Sequence, residues 1–134
     1  MNTNYSSNEK GFRMKKHVLL ISIVFLLLFA ALLFSNRAII FQRGNPLPYL
    51  AAAMRISEDT PYAAVDVGEG LDLSRRGACP ELFDAFQEKS GAAFVEQAGS
   101  GYLFSDGTNR YVISSEIYWG RYTVWTLPEI MAEQ

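Results

Sequence analysis

The chain reads as α+β: one N-terminal transmembrane helix, then a small, largely antiparallel sheet with two short helices. Three observations carry this reading. Residues 18–34 form an uncharged apolar run of seventeen, long enough to cross the roughly 30 Å hydrocarbon core at about 1.5 Å per residue. Beyond it only two stretches have helix composition and helix punctuation. The last forty residues are short apolar and aromatic runs separated by glycine-bearing turns, the pattern of strands and hairpins.

Residues 1–16 are polar and rich in Asn and Ser. They predict a disordered cytoplasmic tail, because such composition has little to bury. Residues 17–41 predict the anchor helix with a juxtamembrane extension through Ala38-Ile39-Ile40-Phe41, broken at Gly44-Asn45-Pro46. Lys10, Arg13, Lys15 and Lys16 precede the span, whereas Arg37 and Arg43 follow it. Basic residues favour the cytoplasmic side, so the expected topology is single-pass in the plasma membrane, N-terminus inside and C-terminal domain outside. The apolar segment exceeds the usual ~7–15 residues of a cleaved signal and lacks an A-x-A-like site after it, which predicts a retained signal-anchor. His17 borders the basic flank and is expected at the interface.

Residues 44–128 predict one extracytoplasmic α+β domain. Leu47, Leu50, Met54 and Ile56 suggest a helix with one apolar face after Pro46 and Pro48, ended near Thr60-Pro61. Val65-Asp66-Val67 and Leu71-Asp72-Leu73 alternate around Gly68-Glu69-Gly70 and predict strand, turn, strand. Pro80 suits the first position of a second helix, with Leu82, Phe83 and Phe86 on its apolar side and Gly91 as its stop. Ala93-Phe94-Val95 predicts a strand, and Gly99-Ser100-Gly101 a turn. Tyr102-Leu103-Phe104 and Tyr111-Val112-Ile113 flank Asp106-Gly107-Thr108-Asn109, a four-residue hairpin signal. Gly120 separates Glu116–Trp119 from Arg121–Thr126 as a turn or a bulge. Residues 129–134 are expected to fray.

Composition narrows the function. Residues 36–134 hold eight basic and thirteen acidic side chains, a balance opposed to nucleic-acid binding. The only histidine is His17, at the membrane, so the outer segment lacks the base for a Ser-His or Cys-His nucleophile. One cysteine and no outer histidine leave no zinc set of the usual kind. The acidic residues from Asp66 to Asp72 resemble a calcium loop only faintly, because Gly68 and Gly70 stand where oxygen ligands belong. No Walker or dinucleotide fingerprint appears, and neither metal nor cofactor is expected.

Three candidate groups remain. Cys79 precedes a helix start and follows Arg75 and Arg76. Those neighbours would lower a thiol pKa, suggesting a reactive thiol, a homodimer bridge or an anion site. Glu116 with Asp106 or Glu96 are carboxylates of the type that glycosidases pair. Tyr118, Trp119, Arg121, Tyr122 and Trp125 cluster the residue types that anchor protein interfaces. If both faces of that strand are covered, the aromatics are core instead. The function expected is a non-catalytic, membrane-anchored binding or assembly module at the cell envelope with a protein partner. The alternative is a small envelope enzyme or carbohydrate-binding module.

Overall fold

The computed structural model describes residues 3–68 and 70–132, and it divides into two compact units, residues 1–40 and 41–134. In the first unit α1 (Thr3–Ser35) is one continuous helix of 33 residues, followed by a single turn, α2 (Arg37–Ile40). Within α1, residues Asn8–Ser35 are long and apolar enough to span a membrane, with mean hydropathy 3.0 over an 18-residue window. Inside the apolar run the Ser22 hydroxyl is served locally, donating to the Val18 carbonyl at 2.8 Å. The break falls at Asn36, whose side-chain amide and backbone N–H both donate to the Leu32 carbonyl. Residues 3–16, expected as a tail without structure, continue the helix instead. Extending a helix that already exists costs far less than nucleating one, and no proline interrupts the stretch. Residues 1 and 2 lie outside the described residues.

The second unit is an open six-stranded sheet, antiparallel throughout, with helices on both faces. The elements in chain order are α3 (Leu47–Arg55), β1 (Tyr62–Ala64), β2 (Leu71–Arg75), α4 (Pro80–Ser90), β3 (Ala93–Ala98), β4 (Gly101–Ser105), β5 (Arg110–Tyr118), β6 (Tyr122–Thr126) and α5 (Glu129–Ala132). The sheet order is β1-β2-β6-β5-β4-β3. Strands β3 to β6 form a meander, and its last strand docks beside β2, with Leu73 opposite Val124 on one side and Glu116 opposite Val124 on the other.

Local chemistry explains the elements. Pro80 opens α4, and Gly91 closes it in the left-handed region at φ 69°. Asp106 organises the β4–β5 hairpin: its Oδ1 accepts from the Thr108 and Asn109 amides at 2.8 and 2.6 Å. The first hairpin differs from the sequence reading. Its first strand is Tyr62–Ala64 rather than Val65–Val67, and residues 65–70 form the connection. The Val65 amide still donates to the Leu71 carbonyl at 2.9 Å, so pairing runs one residue past β1 before the glycines turn the chain. Glu69 lies outside the described residues. Residues 111–113 and 116–118 fall in one nine-residue strand, β5, and Trp119 and Gly120 form the turn. The end segment, expected to fray, carries α5; residues 133 and 134 lie outside the described residues.

Each face of the sheet carries its own core. Helix α3 covers Ala63, Leu71, Leu73, Tyr118 and Val124 with Tyr49 and Ala52. Helix α4 covers Phe104, Ile113 and Trp125 with Leu82 and Phe86. The face of α3 expected to be buried is the outer one: Leu47, Leu50 and Met54 are exposed, while Tyr49 and Ala52 are buried. The sheet selects these two because alanine lets the helix approach closely and Tyr49 fills the gap beside it, with ring centroids 4.6 Å from Tyr118.

Candidate functional site

One end of the sheet joins two groups that lie far apart in the chain. Strand β2 runs out at Arg75-Arg76, and the β5–β6 hairpin turns at Trp119-Gly120-Arg121. Arg75 is opposite Tyr122 in the strand register. The Arg76 amide donates to the Arg121 carbonyl at 2.9 Å, and its guanidinium donates to the Gly120 carbonyl at 3.3 Å. Three arginines and two large aromatics therefore share one tip of a domain that is otherwise acidic. Arg75, Arg76 and Arg121 are exposed, and Trp119 and Tyr122 are half-buried.

The turn is strained. Trp119 has φ 52° and Gly120 φ 67°, and the Arg121 amide donates to the Tyr118 carbonyl at 3.2 Å. Positive φ at both central residues suits the right-handed twist of a hairpin. Glycine takes that conformation freely, whereas a tryptophan there is an outlier with a cost of order 1–3 kcal/mol. Ring packing opposes the cost: the Trp119 ring lies with its centroid 4.5 Å from Tyr118 and 6.3 Å from Tyr122. The indole is thus fixed beside the arginines.

The rest of the aromatic group is not surface. Tyr118 and Trp125 are 0% and 1% exposed. Strand β6 is covered on both faces, so Val124 packs toward α3 while Trp125 packs toward α4, edge-on to Phe83 at 5.4 Å. The indole N–H donates to the Ser74 hydroxyl at 2.8 Å, which removes its remaining polar demand. Only Trp119, Arg121 and Tyr122 of the five stay available at the tip.

Behind the tip an open cleft of about 280 Å³ is lined by Arg75, Arg76, Cys79 and Glu81. Cys79 is 3% exposed, so its thiol presents little surface to a reagent or to a second copy. Its titration is also opposite to expectation. Burial pushes the thiol up, and the Glu81 and Asp72 carboxylates push it the same way, against one favourable backbone contact from Leu82. The anion reading meets the same Glu81, which sits in the first turn of α4 and supplies negative charge there from within the chain.

The carboxylates do not converge. Glu116 accepts from Gln42 Nε2 at 2.7 Å and pairs with Arg43 at 2.5 Å. Asp106 is consumed by its turn, whose amide donors hold its carboxyl below the ordinary value. In the strand register Glu96 aligns with Leu103 and Val112. Glu116 lies four residues further along, so the two are roughly 17 Å apart by strand spacing, too far to act on one glycosidic bond. Among the described residues no three His, Cys, Asp or Glu side chains gather as metal ligands.

Asp72 is the group the sequence reading missed. Alternation with Leu71 and Leu73 marks it as outward, yet it is 8% exposed and burial raises its carboxyl from 3.8 to about 6. Alternation identifies the outward face only when one face of a sheet is solvated, and β2 is covered on both. Comparison with protein-family models, curated proteins and solved structures finds no match for this chain.

Proposed function

We propose that this protein is a single-pass membrane protein with a cytoplasmic N-terminus, whose outer domain is a non-catalytic binding or assembly module for a protein partner. The observation that carries the reading is the tip where Arg75 and Arg76 meet Trp119, Arg121 and Tyr122. Arginine, tryptophan and tyrosine are the residues most often found at the energetic centre of protein interfaces. The tip is basic within a domain of net negative charge, so the matching surface is acidic. Strain held at Trp119 supports the same view, since such strain persists where a side chain must be presented in one place. Excess basic charge before α1 supports the orientation.

Two measurements test it. A cysteine placed at the exposed Thr108 should react with an impermeant maleimide on intact cells, whereas Cys79, being buried, should not. Labelling of Thr108→Cys only after the membrane is opened would reverse the topology. A photo-crosslinking residue at Arg121 should then capture a discrete partner, and Arg75→Glu with Arg76→Glu should abolish the adduct. If the adduct survives both reversals, the tip is not the contact.

A further inference from the structure

Helix α3 is apolar around nearly its whole circumference, yet the sheet covers one side only. At about 100° per residue, Tyr49 and Ala52 point opposite to Leu47, Leu50, Ala51 and Met54. The first two are buried and the other four exposed, Met54 to 81% and Leu47 to 65%. Arg55, the one charge in the helix, sits at the margin of the stripe and donates to the Ala64 carbonyl. A helix that is hydrophobic all round is normally enclosed, so the outer stripe of α3 calls for a second cover.

Two features select that cover. Six residues separate Ile40 from Leu47, at most about 25 Å of chain. A bilayer crossed by α1 therefore has its surface within reach of α3. The stripe is also too small for another protein: three large side chains and an alanine fall far short of the roughly 800 Å² per partner of a stable interface. It does suit a lipid surface, where an amphipathic helix buries an apolar face some 5–10 Å into the headgroup boundary.

We propose that Leu47, Leu50, Ala51 and Met54 form a membrane-docking stripe, seated in the interface of the bilayer that α1 spans. The proposal rests on the anchor reading above. The contact is apolar and uncharged, so it is insensitive to salt and does not require anionic lipid. It makes the domain a body resting on the membrane through α3, with α4 on the opposite face of the sheet turned to water.

The test uses the full chain in phosphatidylcholine vesicles with single nitroxide-labelled cysteines. The buried Cys79 stays in place and the wild-type chain serves as the blank. Leu50→Cys and Met54→Cys should show an oxygen-to-nickel collision ratio several-fold above Glu88→Cys on α4, unchanged in high salt. Val24→Cys should show the highest ratio of all. Adding Met54→Glu should drive the Leu50→Cys ratio down to that of Glu88→Cys. If Val24→Cys reports hydrocarbon while both α3 sites match Glu88→Cys, docking is overturned and the anchor stands. Shielding of the α3 sites from both collision partners, with dipolar broadening, would mean a second copy covers the stripe and would also overturn it. An aqueous Val24→Cys would remove the anchor and the docking together.

Discussion

Tyr118 sits where three rings meet, 4.6 Å from Tyr49 and 4.5 Å from Trp119, and its hydroxyl is fully buried without a hydrogen-bond partner among the described residues. Burial and the neighbouring Tyr49 hydroxyl push its pKa up to about 12, with Arg43 opposing. An unpaired buried hydroxyl costs about 1–3 kcal/mol. Tyr118→Phe keeps the rings and removes that cost, so thermal unfolding should shift upward by about 4–8 °C for each kcal/mol recovered. A lower Tm would mean the hydroxyl is bonded in solution. Asp72 predicts a pH dependence. Its folded pKa of about 6 lies above its ordinary 3.8, so protonation favours the fold. This contribution is complete below about pH 4 and is lost as pH rises through about 6. Asp72→Asn should therefore raise stability at pH 7.5 by an amount on the order of 2 kcal/mol and change little at pH 4, as read by denaturant unfolding at both values.

At the level of elements, each edge of the sheet shares one hydrogen bond with a helix side chain. The Arg55 guanidinium, from α3, donates to the Ala64 carbonyl on β1. Gln87, from α4, accepts the Phe94 amide on β3 at 3.2 Å, next to a bulge at Val95. Strand β3 is exposed along all six residues, with Phe94 and Val95 about half exposed, so its edge is where uncontrolled pairing would start. Gln87→Ala should leave the fold intact and increase concentration-dependent self-association in light scattering; an unchanged monomer would place the protection in the bulge instead. These elements were largely legible in the sequence. Pro80 and Gly91 marked α4, and Asp106-Gly107 marked the β4–β5 hairpin, because caps and turns depend on the few residues that form them. The inward face of α3 and the burial of Asp72 were not legible, because each depends on which neighbours arrive from elsewhere in the chain. The tip belongs with them: a strand register, set by the whole sheet, brings Arg75 to Tyr122.

The molecule as a whole has two cores on one sheet, and the sequence signalled both ambiguously. Tyr122 and Trp125, three positions apart, point to opposite faces of a strand, which is equally the pattern of a sheet with one exposed aromatic face. The decision comes from α3 and α4 packing on opposite sides. Aromatic mass does here what disulfides do in many small outer domains, since Phe83, Phe86, Phe104 and Trp125 interlock at centroid distances of 4.9–5.4 Å. Core truncation should be severe on either face: Phe86→Ala should cost about 3–5 kcal/mol by chemical denaturation.

The strand order also sets a timetable. Helix α4 and strands β3, β4 and β5 meet neighbours close in sequence, while β2 waits for β6, some fifty residues downstream. The α3-side core cannot close before that late arrival, and closing so long a loop is the slow event in domains of this kind. Folding should then nucleate in the meander with α4 and finish when β6 slots against β2. Kinetic φ analysis should give high values for Ile113→Val and low values for Leu73→Ala, whose truncation would mainly hasten unfolding. The reverse ranking would place the nucleus in the β2–β6 seam. In the interval before closure, α3 and the β1–β2 hairpin stand without a floor, their apolar side chains open to whatever meets them first.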